Sequence, residues 1–151
     1  LDEVIRGINF KSYLVASFLA GYAMLGADIM LEGLFGLFGT YREYMEVMKG
    51  WGIPEEQTFL MMAVGHQFNS FLLGLFFAHP SVYRRIPFEG PVKGIVFGFV
   101  WNLLVFAVAF PLYVGGAGFM GLIFKDPVSL TLLHLLWGGV LGLLYSPPKS
   151  L

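Results

Sequence analysis

Four long apolar runs, separated by short polar stretches, organise the chain. They span 12–38, 57–78, 94–114 and 127–145. A bilayer core about 30 Å thick takes about 20 mostly apolar helical residues, and each run is long enough. In lipid the backbone must satisfy its own hydrogen bonds, so the runs predict helices. None of them alternates polar and apolar at every second position, which a membrane β-barrel would require. The expected fold is therefore all-α: one membrane domain over 1–151, built as a bundle of four transmembrane helices with short loops.

The polar stretches refine this picture. Residues 40–56 carry Arg42, Glu43, Glu46, Lys49, Glu55 and Glu56, interleaved with Tyr41, Tyr44, Met45 and Met48. That spacing predicts a short helix lying at the membrane interface between the first two spans. Pro80, Pro87 and Pro91 break the second loop, and Ser146-Pro147-Pro148 ends the last helix. Gly33, Gly36 and Gly39 point to a weakened or bent end of the first helix.

Composition agrees: 57% of the 151 residues are hydrophobic and only 13% are charged. A soluble domain of this length leaves about 30% of its unfolded surface exposed and could not hide so much apolar area. Nine Lys and Arg against ten Asp and Glu leave a net charge of -1 with no basic stripe, which excludes nucleic acid as a partner. There is no cysteine, so disulfides, thiolate catalysis and Cys-ligated clusters are excluded. Six Lys and Arg (Arg6, Lys11, Arg84, Arg85, Lys93, Lys149) fall on the side of the termini and three (Arg42, Lys49, Lys125) on the other. Both termini are therefore expected in the cytoplasm.

Small residues repeat at helical spacing. Gly94 and Gly98 form one GxxxG, Gly138 and Gly142 another, and Ala16, Ala20, Ala23 and Ala27 give a stripe on the first span. Without a hydrophobic drive between helices in lipid, such positions predict close backbone packing.

Four titratable groups lie inside the spans: Asp28, Glu32, His66 and His134. A charge at mid-span costs about 2.5–3.5 kcal/mol to insert. At a rise of ~1.5 Å per residue the four fall about 15, 9, 13 and 10 Å below the outer edge, a common level. Asp28 and Glu32 share a helix face. Asn69 and Ser70 extend a polar stripe from His66, and Asn102 is the main polar group of the third span; these three are expected to be structural. The economical expectation is that Asp28 pairs with His66 or His134 and pins the bundle. Other chemistries stay open. Carboxylates and imidazoles are ligands for a divalent metal. His66 and His134 are also a candidate axial pair for b-type haem. Carboxylates and imidazoles together can relay protons. Trp137 and Tyr145 flank the His134 side and would suit a flat ligand such as a quinone or haem, given a pocket. The expectation is that no cofactor is held.

Three stretches carry a family resemblance. They are Lys93-Gly94 with Phe97-Gly98, Phe110-Pro111-Leu112 followed by Gly115-Gly116-Ala117-Gly118, and Leu133-His134-Leu135 with Gly138, Leu141-Gly142 and Tyr145. Over roughly the last 90 residues the chain resembles an uncharacterised family of small four-span prokaryotic integral membrane proteins. The resemblance implies the architecture and a prokaryotic plasma membrane; it assigns no reaction.

With no nucleotide motif, catalytic motif or soluble domain, the expected function is a non-catalytic accessory subunit of a larger membrane complex. The setting would be a respiratory terminal oxidase or related electron-transfer complex. Its partners would be the bilayer and other membrane subunits. Two alternatives stand beside it: a haem- or metal-binding membrane protein using the Asp/Glu/His cluster, and a small proton- or ion-coupled transporter acting as an oligomer.

Overall fold

A computed structural model describes residues 7–116, 121 and 126–149. It contains α1 (Phe10–Phe35), α2 (Thr40–Gly50), α3 (Glu55–Ala78), α4 (Pro80–Tyr83), α5 (Gly90–Val114) and α6 (Pro127–Leu144). Four of them, α1, α3, α5 and α6, are long and apolar enough to cross a membrane. The chain is an integral membrane protein with an all-helical fold. Leu1–Arg6 and Lys125, which enter the charge count, lie outside the described residues, as does most of the Gly-rich link before α6.

The ends of the helices follow local chemistry. The Asn9 side chain accepts from the Ser12 amide and starts α1 two residues before the expected boundary. At the other end α1 stops at Phe35, three residues before its apolar run ends. Gly36 there takes φ +62°, its N–H bonds the Glu32 carbonyl, and the Leu37 N–H bonds that of Leu31. This left-handed cap suits a residue without Cβ. The expected interfacial helix is present as α2. The one-turn α4, opened by Pro80, was not anticipated. Its start is capped by His79, whose Nδ1 accepts from the Ser81 amide.

Helix α6 begins at an Asp126 cap. The Asp126 carboxylate accepts from the Ser129 amide at 2.9 Å and from the Ser129 hydroxyl. These bonds hold the Asp126 carboxyl below its ordinary range. A carboxyl with a depressed folded value stabilises the fold above the unfolded value, and that contribution disappears as pH falls through the folded value. We expect Asp126→Ala to cost about 1 kcal/mol at neutral pH. The gap to wild type should close in acid. Thermal unfolding of both proteins across pH checks this, and a gap independent of pH would contradict the cap.

The spans pack in the order α3, α1, α6, α5: α1 lies against α3 and α6, and α5 packs mainly on α6. The two GxxxG pairs meet along the α5–α6 seam, as their spacing predicts. A Cβ on Gly94 or Gly138 would overlap the other helix's carbonyl oxygen, and one on Gly142 would lie 2.5 Å from the Gly90 carbonyl oxygen. Backbones this close are what small residues permit in lipid.

The row of spans curls until its outer members touch at one end. There Phe77 of α3 meets Phe97 of α5, with ring centroids 5.2 Å apart. Phe77 also packs edge-on against Tyr83 and Tyr145. Tyr13, Ala16, Ala20, Trp137 and Leu141 complete this core. The Tyr145 hydroxyl donates to the Ala78 carbonyl, and the Ser146 amide donates to the Ser12 hydroxyl, fastening the ends of α3, α6 and α1. Lys93, buried at the same end, donates to the Tyr83 and Ile86 carbonyls at 2.6 and 2.7 Å. The Lys93 ammonium, the Tyr145 hydroxyl and the Ser146 amide are satisfied at this end, while the Ser17 hydroxyl is buried against Gly74 without a partner among the described residues. Toward the opposite end α3 and α5 separate, and that space holds the site.

Candidate functional site

The seam between α1 and α3 sets one wall. Three α3 side chains donate to α1 carbonyls: Ser70 to Ser17 at 2.6 Å, Gln67 to Phe18 at 3.2 Å and His66 to Gly21 at 3.0 Å. From α6, the Trp137 indole N–H donates to the Ser70 hydroxyl at 2.8 Å. Ser70 thus joins three helices. Asn102 is also internal. Its amide nitrogen donates to the Thr131 hydroxyl at 2.9 Å, and Thr131 donates on to the Pro127 carbonyl at 2.7 Å. Because that hydroxyl proton is committed to Pro127, the Asn102 amide is held in this orientation, and its Oδ1 is buried without a partner among the described residues. Asn69, grouped with these in the sequence, lines a cavity, as Ser70 also does.

That cavity has a volume of about 440 Å³ and lies among α1, α2, α3, α5 and α6. Its walls are mainly apolar, with Met24, Met62, Phe76, Trp101 and Leu133 among them. Asp28, His66 and His134 all reach it, so the common level expected from depth is realised as one shared space. Glu32 does not line it.

The expected pairing of Asp28 with a histidine is not what forms. Asp28 is 4% exposed, and its carboxylate instead accepts four hydrogen bonds from the start of α2. Oδ1 takes the Gly39 and Thr40 amides at 2.7 and 3.2 Å; Oδ2 takes the Thr40 hydroxyl and the Tyr41 amide at 2.5 and 2.9 Å. Helix N-termini present unpaired N–H groups and partial positive charge. With no Ser, Thr, Asp or Asn at Gly39, α2 lacks a cap of its own, and Asp28 supplies one from eleven residues upstream. The turn that makes this possible includes Phe38 at φ +67° and Gly39 at φ +91°. A left-handed phenylalanine is uncommon, and it persists only where its surroundings hold it. Glu32 completes the clasp: it accepts from the Tyr41 hydroxyl and pairs with Arg42, both at 2.9 Å. At the far end of α2, Lys49 bridges Glu46 and Glu55, tying α2 to α3 with exposed pairs of small energetic weight.

Held in this way, α2 roofs the cavity with Tyr41, Tyr44 and Met48. Burial first, and the Asp28 charge second, raise the Tyr44 phenol above its ordinary value, so it keeps its proton at physiological pH.

The two histidines are anchored differently. His66 bonds the Gly21 carbonyl through Nε2; His134 bonds the Leu130 carbonyl through Nδ1 at 2.8 Å. A carbonyl only accepts, so the bonded nitrogen of each ring carries a proton. Each ring keeps a second nitrogen with no bond to another described residue. Among the described residues, no group of three or more His, Asp or Glu side chains is placed to hold a metal ion. Asp28 and Glu32 are occupied by α2, which leaves the two imidazoles without carboxylate co-ligands.

Sequence reasoning missed Thr40, Gln67 and Trp101 as parts of this region. Gln67 had a legible signal: a polar residue between His66 and Asn69 in an otherwise apolar run. No protein-family model, curated protein or solved structure matches the chain.

Proposed function

We propose that the protein binds an apolar small molecule taken from the surrounding lipid. One observation carries this reading: a cavity of about 440 Å³ with apolar walls, in which two imidazoles, an amide and a phenol converge. Small-molecule sites have this make-up, mostly apolar with a few placed polar groups. Asn69, Leu72 and Phe76 line the cavity yet stay exposed, and they lie on the α3 flank of the gap between α3 and α5. A molecule dissolved in the bilayer therefore has a lateral way in.

The test uses Gly65, which lines the cavity and has nothing within 4 Å of where its Cβ would stand. Gly65→Phe should fill the cavity without disturbing the helix. Solvent extraction and mass spectrometry of the purified proteins should recover one lipophilic molecule from wild type and about tenfold less from Gly65→Phe, at equal thermal stability, since loss of a ring-sized apolar contact is worth 1.4 kcal/mol or more. Equal recovery from both proteins would sink the reading.

A second reading draws on α5, which buries one face against α6 and leaves Phe99, Leu103 and Val108 bare. Such a ridge suits a neighbouring membrane subunit, as in an accessory role within a respiratory terminal oxidase or related electron-transfer complex. Native gels of solubilised membranes test it: a chain that migrates alone speaks against a partner. The Lys and Arg balance, six against three, supports cytoplasmic termini, and the family resemblance supports a prokaryotic plasma membrane.

A further inference from the structure

We infer that the cavity's ligand is a flat aromatic diol of the hydroquinone class, and that the site prefers this reduced form to the corresponding quinone. The inference rests on the cavity-binding reading and adds the chemistry of what is bound.

Most of the polar groups on the cavity wall are already committed. The Thr40 hydroxyl donates to Asp28, the Tyr41 hydroxyl to Glu32, the Ser70 hydroxyl to the Ser17 carbonyl and the Trp137 N–H to Ser70. Five groups remain: the second nitrogens of His66 and His134, the Asn69 amide, the Tyr44 phenol and the Trp101 indole N–H, which only donates. Asn69 and Tyr44 can each donate or accept. The histidines cannot choose. Each spends its N–H on a helix carbonyl, through Nε2 in His66 and through Nδ1 in His134, so the free nitrogen of each neutral ring is an acceptor. Two fixed acceptors on two different helices, α3 and α6, call for a ligand with two donors.

Shape narrows the class. Trp101, Trp137 and Phe76 bring flat rings to the wall, and aromatic faces favour a flat partner. A hydroquinone carries a hydroxyl on each of two opposite edges of one ring, is soluble in the bilayer and so can use the lateral opening. Its oxidised form keeps the shape but turns both hydroxyls into carbonyls, which set acceptor against acceptor at His66 and His134. A buried polar group left unpaired is costly, and this is how a site built for hydroxyls rejects an analogue lacking them.

Calorimetric titration of the detergent-solubilised full chain with decyl-benzohydroquinone, and separately with its benzoquinone, tests the inference. The hydroquinone should bind about tenfold more tightly, the equivalent of one net hydrogen bond. His66→Phe and His134→Phe keep a ring in place and remove the acceptor together with the N–H held by Gly21 or Leu130, so each is compared with wild type after thermal unfolding shows an intact fold. Each should bring the ratio toward one while leaving quinone affinity within about threefold of wild type, a change of under 1 kcal/mol. Equal affinity for the two forms, or tighter binding of the quinone, overturns the inference and leaves the cavity-binding reading standing. Octadecanol binding as tightly as the hydroquinone overturns it in favour of an aliphatic alcohol. Binding of none of the three probes overturns it as well, and the Gly65→Phe extraction then judges the cavity independently.

Discussion

Gly138→Ala is expected to cost about 3 kcal/mol or more, at the upper end of what one added methyl does by overpacking. The new Cβ would overlap the Gly94 carbonyl oxygen, lie 2.9 Å from the Gly94 carbonyl carbon and stand 3.2 Å from the Gly98 Cα. These are backbone atoms of a helix, and no rotamer change can move them. Relief requires α5 and α6 to move apart, which forfeits contact along the whole seam. Helix α5 has little else to hold it, because its packing lies mainly against α6. Unfolding of the reconstituted protein in a graded series of denaturing detergent should show the loss. Gly65→Ala is the control: its Cβ meets nothing within 4 Å. It should be neutral or stabilising by up to about 1 kcal/mol through helix propensity. Equal responses of the two variants would show that the seam is not the reason for the glycines.

The second large effect is expected at Asp28. Asp28→Ala leaves the Gly39, Thr40 and Tyr41 amides without their shared acceptor. Hydrogen bonds to a charged group contribute about 1.5–3 kcal/mol each and do not add fully, so a loss of about 3–5 kcal/mol is expected. It should be local. The core at the far end of the bundle, around Phe77 and Leu141, contains no part of the clasp. Hydrogen exchange at the first amides of α2 should therefore speed up by at least about a hundredfold while the middle of α1 and α6 stays protected. Asp28→Asn should fall close to Asp28→Ala, since one of its two terminal groups becomes a donor facing donors. Glu32→Gln should be milder, because its partner Arg42 is largely exposed. Uniform acceleration across all four spans would contradict a local clasp.

What the sequence made legible, and what it did not, follows from the range of the interactions involved. The spans were readable because lipid demands long apolar helices, and the α5–α6 seam because GxxxG spacing is a property of one helix at a time. The shared level of Asp28, His66 and His134 was readable from rise per residue alone. The partner of Asp28 was not. Rise per residue relates one span to another and is silent on α2, whose first turn folds back beside the α1 residues that precede it. Recognising the clasp needs the left-handed turn through Gly36, Phe38 and Gly39, and a backbone turn of that kind leaves only a trace in composition. Asp28 and Glu32 did share a face as expected, and that face looks toward the start of α2. The two histidines reached the cavity because each ring is fastened to a helix carbonyl, Gly21 across the seam for one and Leu130 a turn away for the other.

The contact of Phe77 with Phe97 has a consequence for how the site is supplied. It shuts the bundle at one membrane surface, while α3 and α5 part toward the other. On the cavity-binding reading, the proposed guest's lateral way between α3 and α5 lies toward the monolayer where these helices part. Occupancy would follow the concentration of the guest in that monolayer, and a guest delivered to the opposite one would first have to flip across the bilayer. Molecules whose polar groups slow that crossing would fill the cavity with a delay set by the membrane, and the protein would read the asymmetry of its bilayer.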